Sequence, residues 1–405
     1  MTWLAGADGL RATAAVMVFL HHASFLTFAM YNSAAGGIFA RLDYGVAIFF
    51  ALSAFLLGRP YVGAILDGEP LPEVGSYYRR RILRIVPAYW VALTLTYVWL
   101  RPESATEAKG IDFPLHYLLL QIYPGDTFPK GISPAWTLAV EASFYAVLPL
   151  LALGGARLVR GLAGPSRRAL ALLGAIGVLA ILSLVWRSVV YGRGGPYQAA
   201  LWLPGTFCEF ALGLAAAVLV MWAARREAPR VVTGALGRHD LLWWVLAAGL
   251  IAFSASQIGL ERGLDHANWS RELFGELTRL GVAGLMLLPV AFGPPDRGVI
   301  RRMLRSWPVG PLGVASYGFF LWHVPLIEVA LRWTDHEMFL AGEWETGIGI
   351  LSSAVWWPVL VAFLLSVVAG ALSWFLIEKP IIRSHRYKGS TVRRSEPPIV
   401  VQAAP

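Results

Sequence analysis

The chain has 405 residues, of which 57% are hydrophobic and only 15% are charged, and its formal net charge is +9. About a quarter of the residues of a soluble domain are charged, so charge is too scarce here to cover a soluble surface of this size. Long uncharged apolar stretches recur instead, and a stretch of about 18 residues or more predicts a membrane span. We therefore expect an all-α, polytopic membrane helix bundle, and we expect no nucleic-acid partner despite the positive charge.

Ten apolar segments are predicted to span the membrane. In chain order they are residues 9–28, 44–58, 84–100, 134–153, 169–186, 201–223, 241–258, 273–292, 311–330 and 354–377. The second and third are short and are expected to extend into their flanks. A further apolar segment, 113–122, is too short to span, so we expect it to lie at the surface or to re-enter the membrane.

The basic residues predict the orientation of these spans. If the N-terminus is cytoplasmic, the inside loops and the tail carry 22 of the 34 Lys and Arg residues, and the outside loops carry 9. Because cytoplasmic loops collect Lys and Arg, both termini are predicted to be cytoplasmic. Residues 1–380 are expected to form the transmembrane domain, and residues 381–405 a basic, disordered tail. We expect no attached soluble domain and no cleavable signal.

Ionisable side chains inside the predicted spans are functional candidates, because their burial in lipid is costly. They are Arg11, His21, His22, Arg84, Glu141, Glu209, Arg279 and His323. Arg11 and His22 are nearly three helical turns apart, so they share one face and lie roughly 16 Å apart along the first span. Arg11 is predicted near the cytoplasmic end of that span and His22 in its outer half.

Several of these side chains fall at one predicted depth. Counted by helix rise, four of them lie roughly 10 Å below the outer face: His22, Glu141, Glu209 and His323. A layer of His and Glu suits a buried acid–base site. The same residue types also ligate zinc or iron, so a metal site remains an alternative at this point. The single cysteine, Cys208, excludes an intrachain disulfide.

A cationic cluster, YYRRRILR at residues 77–84, opens the third span on the predicted cytoplasmic side. Arg81 and Arg84 are three residues apart and face one way on a helix. Paired guanidinium groups grip phosphates bidentately, so the cluster is a candidate phosphate site. The alternative is that these arginines only set the topology.

Six segments, in order along the chain, resemble the acyltransferase 3 family of membrane O-acyltransferases. They are DGLRATAAVMVFLHHASF (8–25), DYGVAIFFALSAFLL (43–57), YYRRRILRIVPAYW (77–90), ISPAWTLAVEASFYAVLPLL (132–151), SYGFFLWHVPLI (316–327) and WFLIEKPI (374–381). The family's motif residues fall on Arg11, His22, Arg81, Arg84, Glu141 and His323. The chain departs from the family pattern at three positions, where Ala54, Thr137 and Phe320 replace the usual Gly, Ser and Tyr.

This resemblance implies transfer of an acyl group from acyl-CoA, acetyl-CoA by default, to a hydroxyl group of a carbohydrate-containing acceptor. Such an acceptor is a cell-envelope glycan, a glycolipid or a glycosylated secondary metabolite. The chain resembles the stand-alone form of the family, which lacks an extracytoplasmic hydrolase-like domain. A multi-pass location in the inner or cytoplasmic membrane is implied, and no metal is expected.

The resemblance also implies roles for the candidate residues. Arg81, Arg84 and Arg11 are expected to hold the phosphates of the donor at the cytoplasmic face. His22 is expected to act as the general base for the acceptor hydroxyl, or as a transient acyl carrier. The residues leave these two mechanisms open, and the structural alternative for His22 is a hydrogen bond to a neighbouring carbonyl group.

The remaining candidates each have a structural alternative. Glu141 is expected to orient His22, as a carboxylate does in a catalytic triad, or to form an interhelical bond. His323 is expected to be catalytic or to contact the substrate. Asp43 and Glu209 are expected to contact the acceptor; the alternatives are a surface charge for Asp43 and a structural role for Glu209.

Two other kinds of function fit parts of the pattern. A multispan transporter or flippase of a sugar or lipid would explain the intramembrane His and Glu residues. It would not need an arginine cluster that faces a soluble donor. A different class of membrane acyltransferase would use a buried histidine but lacks the opening in which Arg precedes His by eleven positions.

Overall fold

The computed structural model of the chain describes residues 6–100, 110–124, 130–192, 197–225, 237–256, 269–292, 297–333 and 353–388. Within these ranges every regular element is a helix. The predicted all-α class is confirmed.

The helices of the N-terminal half begin close to the start of the chain. They are α1 (Ala7–Leu26), α2 (Ala29–Asn32), α3 (Gly36–Arg41), α4 (Gly45–Asp67), α5 (Val74–Leu95), α6 (Asp112–Tyr117), α7 (Trp136–Leu158) and α8 (Pro165–Gly192). Short 3-10 turns precede α4 and α7, at Leu42–Tyr44 and Ser133–Ala135, and a π-helical turn, Thr96–Leu100, extends α5.

The C-terminal half continues the bundle. Its helices are α9 (Tyr197–Leu201), α10 (Leu203–Ala223), α11 (Asp240–Ala255), α12 (Trp269–Phe292), α13 (Val299–Arg305), α14 (Val309–Val314), α15 (Ser316–Trp333), α16 (Ser353–Ser373) and α17 (Lys379–Lys388). A π-helical turn, Trp374–Glu378, joins α16 to α17. Helix α17 therefore occupies the first residues of the predicted tail; residues 389–405 lie outside the described ranges.

Eight helical stretches within the described ranges are long and apolar enough to cross a membrane. They are Ala7–Leu26, Gly36–Asp67, Val74–Leu100, Ser133–Leu158, Pro165–Gly192, Gln198–Ala223, Trp269–Phe292 and Trp356–Ser384. Each coincides with a predicted span, and the second and third extend into their flanks as expected. The chain is thus a polytopic membrane protein.

The other two predicted spans are also helical. Residues 241–258 correspond to α11, which has only 16 residues, and residues 311–330 correspond to α15. Helix α15 carries His323, Glu328 and Arg332, which lower its mean hydropathy. Ten spans and cytoplasmic termini remain predictions.

Close helix contacts hold α4 in the centre of the bundle, against α1 on one side and α10 on the other. A methyl group added at Gly213 of α10 would lie 2.0 Å from the carbonyl oxygen of Ala51. One added at Gly45 would lie 2.6 Å from the carbonyl oxygen of Ala14 in α1. Only glycine permits such backbone approach, as is usual where membrane helices pack tightly.

Aromatic packing brings α15 beside α1. The ring of Phe19 in α1 lies 5.8 Å from that of Phe319 in α15 and 5.3 Å from that of Phe363 in α16, measured between centroids. All three rings are in one apolar cluster. This contact sets the rotation of α15, and the next turn of that helix carries His323.

Candidate active site

An open cavity of about 110 Å³ lies between α1, α4, α5, α7 and α15. The three arginines predicted to hold a donor all line it: Arg11 from α1, and Arg81 and Arg84 from α5. Arg11 is paired with Asp8, whose Oδ1 lies 2.9 Å from its Nη1. Among the described residues neither Arg81 nor Arg84 forms an ion pair, so two guanidinium charges are available to an anion in the cavity.

Glu141 of α7 lines the same cavity. Its Oε1 accepts hydrogen bonds from the hydroxyl groups of Ser53 in α4 and Tyr145 in α7. The structure therefore brings Glu141 together with the arginines of the cavity. No hydrogen bond joins it to His22, so the predicted orienting contact between these two residues is not among its interactions.

His22 and His323 form a pair. Nε2 of His323 lies 3.2 Å from Nδ1 of His22, and the ring centroids are 5.0 Å apart. Each Nδ1 also faces a backbone carbonyl of its own helix: Val18 at 2.9 Å from His22, and Phe320 at 2.6 Å from His323. The two histidines predicted at one depth are thus in direct contact.

The two carbonyl contacts determine the tautomers of this pair. A carbonyl oxygen only accepts, so each Nδ1 carries its proton and, in neutral rings, each Nε2 is an acceptor. Nδ1–H of His22 is then shared between Val18 and Nε2 of His323. Nε2 of His22 is left unprotonated, and it makes no hydrogen bond to any described residue. His323 is buried and His22 only partly so, which makes Nε2 of His22 the accessible base.

Two phenylalanines separate the cavity from the histidine pair. Phe49 of α4 and Phe320 of α15 both line the cavity, with ring centroids 6.1 Å apart. The ring of Phe320 also lies 5.4 Å from that of His323, one turn further along α15. The pair does not line the cavity itself but lies directly behind this aromatic end.

Asp43 and Glu209, the predicted acceptor contacts, meet at a different place, around Arg279 of α12. Nη2 of Arg279 lies 2.9 Å from Oδ2 of Asp43, and its Nη1 lies 4.0 Å from Oε1 of Glu209. Nη1 also lies 2.6 Å from Oε2 of Glu276, which in turn lies 3.5 Å from Nη1 of Arg187. The result is a buried charge network that connects the start of α4 with α8, α10 and α12.

Two members of this network, Arg187 and Glu276, were missed by the sequence reasoning. Arg187 lies one residue beyond the predicted end of its span. Glu276 lies inside its span, three residues before Arg279, and this spacing on an apolar helix is a usable signal for an intrahelical ion pair. Cys208 belongs to the same region, since its Sγ lies 3.2 Å from Oε1 of Glu276.

The four side chains predicted at one depth thus divide among three places. His22 and His323 form the pair, Glu141 lies in the cavity, and Glu209 belongs to the charge network. Among the described residues no group of three or more His, Cys, Asp or Glu side chains is arranged to hold a metal ion.

Comparisons with known proteins agree with the sequence motifs. The sequence model of one family, described as an acyltransferase domain, matches residues 4–377. The chain is 26% identical to "Putative peptidoglycan O-acetyltransferase YrhL" of Bacillus subtilis, over 94% of this chain and 55% of that protein. It is 23% identical to "Peptidoglycan O-acetyltransferase OatA" of Listeria monocytogenes, over 79% of this chain and 49% of that protein.

A third relative is matched over most of its length. "Acyltransferase MdmB" of Streptomyces mycarofaciens is 27% identical, over 93% of this chain and 90% of that protein. The chain spans only about half the length of the two peptidoglycan relatives. No solved structure matches it. Since the family match covers nearly the whole chain, the protein belongs to the acyltransferase 3 family.

Proposed function

We propose that this protein is an acyl-CoA-dependent membrane O-acyltransferase. It transfers an acyl group, acetyl by default, to a hydroxyl group of a carbohydrate-containing acceptor in the cytoplasmic membrane. The observation that carries the proposal is the joint arrangement of arginines and histidines: one cavity is lined by Arg11, Arg81 and Arg84, and the His22–His323 pair lies behind its opposite end.

The donor assignment rests on charge. CoA carries several phosphate charges, and guanidinium groups bind phosphates bidentately. Arg81 and Arg84 form no ion pair with a described residue, and the loops at their end of the bundle are the basic, predicted cytoplasmic ones. A soluble cytoplasmic polyanion fits this end of the cavity.

The acceptor assignment rests on the relatives. Two of them are named for O-acetylation of peptidoglycan, a carbohydrate polymer, and a third as an acyltransferase. In this chain we assign acceptor contact to Asp43, whose side chain is 28% exposed beside Arg279. The side chain of Glu209 is 4% exposed and lies beside the same arginine, so we assign it to the same acceptor region.

The chemistry follows from the free nitrogen of His22. Nε2 of His22 takes the proton of the acceptor hydroxyl as the oxygen attacks the thioester carbonyl. The carbon–sulfur bond then breaks, the proton passes to the sulfur, and CoA leaves as the thiol. His323 accepts a hydrogen bond from Nδ1–H of His22 and so keeps the base in this tautomer. In a two-step mechanism the same Nε2 carries the acyl group transiently.

The test is comparative mass spectrometry of envelope glycans, glycolipids and small-molecule glycosides. Cells with the wild-type chain, cells without it, and cells with His22→Ala are compared, together with thiol release from acetyl-CoA by their membranes. We expect one acyl-mass shift that requires both the chain and His22. A shift that persists in His22→Ala would exclude the catalytic assignment. Absence of chain-dependent thiol release would favour a transporter.

A further inference from the structure

The position of Glu141 in the cavity raises a question that the acyl-transfer chemistry does not answer. A carboxylate that lies among guanidinium groups weakens the attraction of the cavity for phosphates. Glu141 forms no ion pair with a described residue, so it is not held in the cavity as the direct partner of Arg81 or Arg84. Its role must therefore concern a group other than phosphate.

The hydrogen bonds of Glu141 leave one of its oxygens open. Ser53 and Tyr145 both donate to Oε1, and they hold the carboxylate from two different helices. Oε2 accepts no hydrogen bond from a described residue, and it is not fully buried. All three side chains line the cavity. A carboxylate that is fixed in a cavity and has a free oxygen can accept a hydrogen bond from an N–H or O–H group of a ligand.

Helix geometry places the free oxygen of Glu141 between the two ends of the cavity. Tyr145 is one turn from Glu141 along α7, and Ser53 is one turn from Phe49 along α4. In the predicted orientation α4 and α7 both run toward the cytoplasmic side, and Arg81 and Arg84 lie in the first half of α5 at that side. Glu141 therefore lies at a depth between these arginines and Phe49, on the route from the arginines toward the histidine pair.

We propose that Glu141, positioned by Ser53 and Tyr145, binds an amide N–H of the pantetheine arm of the donor through Oε2. This inference rests on the proposed function, because it assumes that CoA enters the cavity. The arm joins the phosphates to the thioester and contains two amide N–H groups and one hydroxyl. Its backbone is as long as about four extended residues, roughly 14 Å, which is close to the roughly 16 Å between Arg11 and His22 along α1.

Equilibrium binding to the full chain in nanodiscs tests this assignment with three ligands: CoA, adenosine 3′,5′-bisphosphate, which lacks the arm, and pantetheine, which lacks the nucleotide. For Glu141→Ala we expect the affinity for CoA and for pantetheine to fall about ten- to hundredfold, the loss of one charged hydrogen bond. The affinity for the bisphosphate should be unchanged or higher, because a nearby negative charge is removed.

Four further variants keep the result interpretable. Tyr145→Phe and Ser53→Ala retain the carboxylate but loosen it, so each should lower CoA affinity less than Glu141→Ala and leave bisphosphate affinity unchanged. Arg84→Ala should weaken both CoA and bisphosphate. Ser143→Ala is the matched control on α7, since Ser143 does not line the cavity, and it should change neither.

The possible outcomes separate the inference from the function on which it rests. If Glu141→Ala weakens bisphosphate and CoA equally, or weakens neither, the pantetheine contact is wrong while the donor assignment stands. If the wild-type chain binds neither CoA nor the bisphosphate, the donor assignment itself fails. Loss of CoA and pantetheine binding with intact bisphosphate binding supports the inference.

Discussion

Nε2 of His323 lies 3.2 Å from Nδ1 of His22, although 301 positions separate the two residues in the chain. The contact requires α1 and α15 to be neighbours with a particular rotation, which the packing of Phe19 against Phe319 provides. Because Nδ1 of each ring also faces a carbonyl, the pair has a defined direction: His22 donates, His323 accepts, and Nε2 of His22 is the free base.

The first prediction concerns the direction of the hydrogen bond between His22 and His323. His22→Ala should lower kcat for acyl transfer by about 10²–10⁴-fold, the usual contribution of a general base. His323→Ala should lower kcat less and leave the KM for acyl-CoA unchanged, because His323 acts through His22. His323→Gln should recover part of the loss, since its amide oxygen can accept the same hydrogen bond. Steady-state kinetics with acetyl-CoA measure all three.

His21 provides the matched control for this experiment. Its ring centroid lies 5.2 Å from that of His22, but its Nδ1 lies 3.3 Å from the carbonyl oxygen of Phe39, and no hydrogen bond joins it to His323. His21→Ala should therefore retain most of the activity. An equal loss in His21→Ala and His22→Ala would mean that α1 simply tolerates no substitution there.

The second prediction concerns the arginines of the cavity. Arg81→Ala and Arg84→Ala should each raise the KM for acyl-CoA by about tenfold, the value of a charge-assisted contact, with a smaller change in kcat. The KM of either variant should also depend less on salt, because one phosphate contact is lost. Arg80 is exposed, does not line the cavity and precedes Arg81 on α5, so Arg80→Ala is the control. A comparable rise in that variant would indicate a general surface effect.

Hydropathy was sufficient to locate the long helices. Each of the ten predicted spans coincides with a helix, because a chain in lipid must satisfy its backbone hydrogen bonds within the segment. The six motifs similarly pointed to the family. Hydropathy and sequence motifs depend only on residues that are close together in the chain, so the sequence alone reveals them.

The neighbours of the buried polar residues were less predictable. Helix rise placed His22, His323 and Glu141 at one depth, but rotation decides which of them meet. The aromatic packing of α1 on α15 joins the histidines, whereas Ser53 and Tyr145 retain Glu141 in the cavity. Such packing depends on side-chain shape in three helices at once, which periodicity does not encode.

The third prediction concerns the charge network around Arg279. Arg279→Gln leaves Glu276 and Glu209 buried without their shared cation, so unfolding should cost about 3–5 kcal/mol less than in the wild type. The double variant Glu276→Gln with Arg279→Gln should be less destabilised than Arg279→Gln alone, because the excess of buried negative charge around Arg187 is smaller. Asp43→Asn should have a small effect, since Asp43 is partly exposed. Thermal unfolding of the purified variants in one detergent ranks them; equal Tm values for the single and double variants would contradict the coupling.

The fourth prediction concerns His116, in the short helix α6 outside the predicted spans. Its side chain is buried, its Nδ1–H donates to the carbonyl oxygen of Asp112 at 2.8 Å, and its Nε2 has no hydrogen-bond partner among the described residues. Burial lowers the pKa of His116 below its ordinary value, and this effect outweighs the opposing attraction of Asp112. The folded segment therefore prefers the neutral ring.

The sign of the pH dependence follows from this depressed pKa. An opened segment takes up a proton below about pH 6.5, whereas the packed ring resists it, so the packing of residues 110–124 should weaken as the pH falls below that value. Hydrogen–deuterium exchange of this segment, corrected for intrinsic rates, should show less protection at about pH 5 than at about pH 7.5. His116→Asn cannot be protonated and should lose this difference. If the difference persists in His116→Asn, another group titrates, and the packing of α6 against α5 does not depend on a neutral imidazole.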